Sequence, residues 1–393
     1  MLKVKQEYYD NCIKFLEQAF WYEMNCNVGT KSPDEAPFKD ELMKNATMYW
    51  AVNRRHTSWC GLLYDVAFPD KHPWKHNLSE KQKRILAETY KTNHYKTWTM
   101  KEYLFIFFVH RLTGSAMDYS LDAYGYGNSV LPYLAGSKDL DEMMTRFKAY
   151  PLPKYTSKGY QIAAFPKIPE SKKSEYRLAG DHFICELVPE LIDDMLDLFD
   201  KNPGKLFTQR ELVNYMLDWN TSRGFKRFKF PYNNVVSDIA MLVPGYVDEF
   251  SLVDLGPNAK EAFDIIIDFS DNPNKKAREQ LYDELLMKIN TQLSFNPSMV
   301  SVEDSVCVFV HWIENHIDIT KHGHYKHLDL DKVFSNHTII DYPRGRQKPM
   351  LELGVIDTFN GAGVVTGLKV LDRAGMTEDE YKRLVTDRYD LKN

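Results

Sequence analysis

Residues 233–269 read NNVVSDIAMLVPGYVDEFSLVDLGPNAKEAFDIIIDF. Residues 235–243 are mostly apolar with one acid, Asp238, and Pro244-Gly245 closes the segment. An acidic loop follows, carrying Asp248, Glu249 and Asp254. Gly256-Pro257-Asn258 then opens a second segment in which Ala259, Ala262, Phe263, Ile266 and Ile267 recur on one side. The pattern predicts a helix, a tight glycine turn and a second helix. Gly256 tolerates a positive φ, Pro257 has its φ preset for a first helical turn, and Asn258 caps the helix if it begins slightly later. A helix started this way turns free N–H groups outward, which suits a phosphate or carboxylate. The same residues also make an ordinary turn between two core helices.

Outward from this stretch the chain stays helical in pattern. Apolar spacing predicts helices over 4–25, 39–64, 78–92, 97–112, 140–147, 179–200, 207–219, 275–290 and 301–316. Capping boxes are expected at Ser79/Gln82, Thr208/Glu211 and Ser301/Asp304, and Gly114 suits the end of the 97–112 helix. Strands are few and short, and no internal repeat is present. The Pro-, Lys- and Ser-rich residues 151–173 read as a hinge, giving an N-terminal helical lobe (1–150), a second helical lobe (174–335) and a C-terminal extension (336–393).

Composition narrows the class. The 393 residues are 44% hydrophobic and 27% charged, ordinary for a soluble globular protein with a large core. A net charge of −5 excludes whole-surface nucleic-acid binding and leaves local basic patches. Five cysteines without CxxC spacing fit a reducing cytoplasm and argue against a cysteine zinc site. No signal peptide and no apolar run of membrane-spanning length is read, so a cytoplasmic protein without membrane contact is expected.

Several clusters carry candidate chemistry. Residues 222–230, SRGFKRFKF, interleave Arg223, Lys226, Arg227 and Lys229 with three phenylalanines. As an extended segment each side offers both charge and ring, which suits a nucleic-acid backbone with stacked bases, or else a half-buried edge. Arg344 and Arg346 sit in a second basic loop, RGRQK. Asn53-Arg54-Arg55-His56 places four polar or cationic groups in a row that cannot share one helix face. On the 301–316 helix, Glu303, Cys307, Val310 and Glu314 line one face with His311 beside them. Glu303 there serves acid–base work, or with Asp304 complements the helix start. His322, His324 and His327 have ligand-like spacing without an HExxH partner set, so no metal site is assigned. The glycines at 361, 363 and 367 form neither a phosphate loop nor a dinucleotide fingerprint.

Landmarks in order along the chain carry a resemblance. These are Phe20-Trp21-Tyr22, the arginine-bearing NATMYWAVNRRHTSW, FIFFVHRLTGSAMDY, the aspartate in Val236-Ser237-Asp238-Ile239, the LGPNA turn, and VEDSVCVFVHWIENH. Over roughly residues 15–330 the chain resembles the phage DNA base-hypermodification superfamily, which includes the α-glutamyl/putrescinyl thymine pyrophosphorylases and the 5-hydroxymethyluracil DNA kinases. It departs from that pattern at Asn258, where the turn has its second glycine, at Val308, and at His311-Trp312.

The resemblance implies a mainly α, helix-hairpin-helix DNA glycosylase-like fold of two helical lobes with few short strands. It further implies an enzyme of a bacterial or phage-infected cell that takes a 5-hydroxymethylpyrimidine, or its phosphorylated form, flipped out of double-stranded DNA. Asp238 is the expected acid, with Arg54, Arg55 and Glu303 as further catalytic candidates. Gly256, Asn258, Arg223, Lys226, Arg227, Arg344 and Arg346 are expected on DNA. A kinase would add ATP and magnesium; otherwise no cofactor is implied. Base excision by a glycosylase, or DNA binding without catalysis, are the alternatives.

Overall fold

The computed structural model describes residues 2–45, 52–73, 80–113, 130–149, 165–176, 178–225, 228–271, 273–316, 355–359 and 365–370. The fold is mainly helical with a few short strands. Two helices that are apolar nearly all round form its centre: α5 (Met100–Thr113) and α11 (Lys229–Leu242), which pack against each other. Helices of that composition lie inside a core rather than on its surface. Around α5 stand α3 (Ser58–Val66), α7 (Leu140–Ala149) and α9 (Val188–Asp200), and α10 (Gln209–Ser222) lies along α11.

A second group is built on α12 (Pro257–Ile266) and α14 (Met299–His316), which pack closely together. Both α1 (Gln6–Tyr22) and α13 (Lys275–Gln292) cover this pair. Lys5 N–H donates to the Ile266 carbonyl at 2.8 Å, and Asp268 N–H to that of Lys3 at 3.0 Å, tying the chain's beginning to the end of α12. The first helix, read from sequence as part of an N-terminal lobe, therefore packs with the 257–316 helices. One contiguous buried cluster runs from Tyr9 to Trp312. Phe20 of the aromatic opener stacks on Phe295, with centroids 3.9 Å apart, and Trp21 meets Phe38 edge-on. These rings are packing elements.

Local signals explain the element boundaries. At the start of α10, Thr208 Oγ1 accepts from Glu211 N–H (3.2 Å) and Glu211 Oε2 accepts from Thr208 N–H (2.8 Å), the expected capping box. α14 starts two residues earlier than its sequence pattern suggested: Ser298 Oγ accepts from Ser301 N–H at 3.3 Å, so Ser298 is the cap. The 179–200 segment is continuous but contains a π-helical turn, Phe183–Leu187.

The stretch between α11 and α12 differs from the tight turn expected. Fourteen residues separate the helices, and Val247–Asp248 (β2) pairs in parallel with Phe207–Thr208 (β1). The positive φ falls on Gly245 (105°), while Gly256 is extended at φ −68°. The helix begins at Pro257, so Gly256, not Asn258, holds the N-cap position. An antiparallel pair, Val355–Phe359 (β3) with Val365–Val370 (β4), lies in the C-terminal extension. Gly114, the three histidines at 322–327 and Ser79 of the expected Ser79/Gln82 box lie outside the described residues.

Candidate active site

The start of α12 faces α14. Gly256 N–H donates to Glu303 Oε1 at 2.7 Å, and one turn further along α14 the Cys307 thiol meets the Asn258 side chain and the Ala259 N–H. The helix start is therefore occupied from within the chain by a carboxyl group, whose partial negative charge the helix dipole favours. A Cβ on residue 256 would stand 3.0 Å from Glu303 Oε1, so glycine is needed here for close approach and not for backbone conformation.

Glu303 and Asp304 line a cleft of about 290 Å³. This is at the small end of ligand sites, which run from ~300 Å³ upward, and it suits one ring with its substituents. Opposite them α11 presents Lys229, Phe230, Asn233, Asn234 and Ser237, one face at helical spacing. Gln209 and Arg210 at the start of α10, the 253–257 loop and Lys260 complete the walls. Phe230 is 41% exposed, one of the few large apolar side chains left open to solvent.

Arg54 forms the floor. It is 5% exposed, its Nη1 lies 3.0 Å from Asp304 Oδ2, its Nη2 donates to Asn234 Oδ1, and its backbone N–H donates to Ser301 Oγ at 3.0 Å. Burial pushes the Glu303 carboxyl up to about 8, helped by the Asp304 charge and a hydrogen bond with it, and opposed by Gly256 N–H and Arg54. At neutral pH Glu303 thus holds its proton beside an ion-paired Asp304. A carboxyl group held protonated by burial beside a second carboxyl group is a recurrent acid–base arrangement.

The 54–56 turn resolves the crowding read from its sequence. Arg54 enters the cleft, Arg55 donates from Nε to the Met241 carbonyl (3.2 Å) and pairs with Glu249, and His56 Nδ1 meets the buried Glu23. A 3₁₀ turn fans three consecutive side chains to three different acids. Arg55 does not line the cleft.

Asp238, the acid expected at the centre of the chemistry, is elsewhere. It is sealed in the core, gripped by both arms of the Arg111 fork: Nε to Oδ2 at 2.6 Å and Nη2 to Oδ1 at 2.5 Å, with no side-chain surface exposed on either residue. Its neighbour Ser237 lines the cleft, while Asp238, about 100° further round the helix, turns to Arg111. The outward N–H groups expected at the Gly256 turn are likewise corrected, because Glu303 takes the Gly256 N–H and the Cys307 thiol that of Ala259.

In the basic segment 222–230, Ser222 is the last residue of α10 and Lys229 the first of α11. Arg223 is the C-cap of α10, its guanidinium 3.8 Å above the Trp219 ring and 3.3 Å from Asp194, outside the cleft. Phe225 packs on Phe183, Phe228 is buried against Tyr232, and only Lys229 and Phe230 reach the cleft. Lys226, Arg227, Arg344 and Arg346 lie outside the described residues.

The cleft's other cations each hold an acid: Lys229 to Asp254 (3.1 Å), Arg210 to Asp283 (2.6 Å) and Lys260 to Glu279 (2.7 Å). The sequence reading singled out Lys229 and Phe230 within the basic segment but missed Asn233, Asn234, Arg210 and Lys260 as cleft residues. Only the 3.6-residue spacing of the α11 face signals Asn233 and Asn234, and it does so no more strongly than for a buried face. Among the described residues no group of three or more His, Cys, Asp or Glu side chains is placed to hold a metal ion, and no helix is long and apolar enough to cross a membrane. Comparison of the chain with family models, curated proteins and solved structures finds no match in any of the three.

Proposed function

We propose that the cleft is the base pocket of a DNA-modifying enzyme acting on a flipped-out pyrimidine that carries a 5-hydroxymethyl group or its phosphorylated form, in a bacterial or phage-infected cytoplasm. The observation that carries this reading is the Glu303–Asp304 pair on Arg54 at the wall of a ring-sized cleft. Phe230 supplies the stacking face, and an aromatic of this kind contributes about 1–3 kcal/mol per base. Lys229 and Lys260 exchange their surface carboxylates for DNA phosphates, since exposed pairs of this type hold only ~0–1 kcal/mol.

The chemistry follows from the position of the two carboxyl groups at the cleft wall. The bond between the 5-methylene carbon and its oxygen breaks while Glu303 delivers its proton to the departing oxygen. An incoming amine forms the new C–N bond and passes a proton to Asp304. Such general acid–base steps contribute about 10²–10⁴-fold each.

A second reading uses the same pair. Glu303 protonates a ring carbonyl, the bond between the base and C1′ breaks, and the water that attacks C1′ gives its proton to Asp304. A pair of carboxyl groups, one of them held protonated, is the equipment of glycosidic cleavage, which favours this alternative. Incubation with DNA containing 5-hydroxymethyluracil or 5-hydroxymethylcytosine, with and without ATP and magnesium, followed by nucleoside mass spectrometry, separates the two. A nucleoside of new mass supports modification and a lost base supports excision. DNA unchanged under every condition, with the wild type matching Glu303→Gln, overturns both.

A further inference from the structure

Three side-chain amides line the cleft, and two are fully engaged. Asn234 accepts from Arg54 and donates to the Phe230 carbonyl at 2.9 Å. Gln209 accepts from Ser237 Oγ at 3.1 Å and donates to the carbonyls of Glu249 and Ser251. Asn233 is half-buried in the cleft wall, and its amide engages no group among the described residues. It lies three positions after Phe230 on α11, so the two side chains are neighbours on one helix face. A ring stacked on Phe230 therefore brings an edge to Asn233. An amide offers one acceptor and a donor side by side, the complement of a ring edge in which a carbonyl adjoins an N–H.

We propose that Asn233 is a specificity-determining residue that reads the N3–H and adjoining carbonyl of the bound pyrimidine through paired hydrogen bonds. The inference rests on the base-pocket reading above and adds to it the edge by which the ring is selected. Among the described residues this amide has no other partner, whereas its two neighbours are already committed to holding Arg54 and the 249–251 loop.

The test uses single-stranded oligonucleotides, so that base pairing does not compete, each bearing 5-hydroxymethyluracil, its N3-methyl derivative or an abasic site at one position. Binding is read by fluorescence anisotropy. Wild type is expected to bind the unmethylated oligonucleotide about tenfold or more tightly than the N3-methyl one, the range of a paired base contact. Asn233→Leu, which keeps the size and removes both polar atoms, is expected to bind the two alike. Should that variant not fold, Asn233→Ala makes the same comparison. A preference retained in the variant overturns the inference and leaves the base pocket standing. Equal wild-type binding of all three, abasic included, overturns the base pocket and this inference with it.

Discussion

Gly256 and Glu303, 47 positions apart, are joined by a 2.7 Å hydrogen bond from the backbone N–H of the first to Oε1 of the second. That bond holds the acid of the cleft in place, and the absence of a side chain at 256 makes room for it. Gly256→Ala sets a methyl 3.0 Å from the carboxyl oxygen. The side chain must shift or the helix start must move. We expect a loss of about 1–2 kcal/mol, typical of a disturbed buried hydrogen bond, and a larger proportional loss of turnover. Paired thermal melts and single-turnover rates check this; an unchanged rate removes the Gly256 bond from the site.

The pH dependence has a definite sign. The folded-state pKa of Glu303 is raised to about 8, above that of an unfolded glutamate, so the folded protein binds more protons between about pH 4.5 and 8. Stability linked to this group therefore falls as pH rises through that window and is level beyond it. Glu303→Gln keeps an acceptor for Gly256 and cannot ionise. Its stability relative to wild type is expected to rise with pH, by at most ~1.4 kcal/mol per unit, and to stop rising near pH 8. Denaturant titrations at pH 5, 6.5 and 8 test the trend, and a flat difference refutes it.

Asp238 belongs to stability. Removing one partner of a buried, doubly hydrogen-bonded ion pair leaves an uncompensated charge and costs about 3–5 kcal/mol. Asp238→Asn and Arg111→Met are each expected to lower the melting temperature sharply. The double variant Arg111→Met/Asp238→Leu recovers most of that loss, because an apolar pair of similar volume replaces two buried charges. If Asp238→Asn instead melts like wild type but loses turnover, the ion pair is not its role.

Phe230 makes the opposite case. It is 41% exposed, so Phe230→Ala is expected to change stability by no more than ~0.5 kcal/mol. Binding of single-stranded DNA is expected to weaken by roughly 1–3 kcal/mol through lost stacking. Anisotropy with a fixed oligonucleotide decides, and equal affinities remove the ring from the pocket.

Arg54 is expected to be intolerant even of lysine. Its fork reaches Asp304 and Asn234 together, which a single ammonium at the end of a flexible stem does not reproduce. With the cation displaced, Glu303 loses one of the two influences that oppose its upward shift. The alkaline limb of the pH–rate profile, set by ionisation of the proton donor Glu303, is then expected to move to higher pH in Arg54→Lys, and an unmoved profile counts against the coupling.

The sequence by itself determined most of the helices and several of their ends, because periodicity and capping act over a few residues: the Thr208/Glu211 box and the Gly256-Pro257 start are readable from neighbours alone, whereas the single helix read over 39–64 is instead a helix over Lys39–Asn45, a 3₁₀ turn at Arg54–His56 and α3. It also pointed to Glu303, on a face shared with Cys307, as acid–base material. Only the tertiary structure separated Glu303 from Asp238. Both are acids in apolar helical stretches with the same local pattern, yet one meets Arg111 from α5 and is sealed, while the other meets Gly256, Asp304 and Arg54 at a cleft. Apart from Asp304, the next residue, those partners lie tens to hundreds of positions away, and an acid's role depends on the charge and solvent around it, which local spacing does not encode. The same holds for SRGFKRFKF, whose rings were assigned to core or cleft by what packed over them.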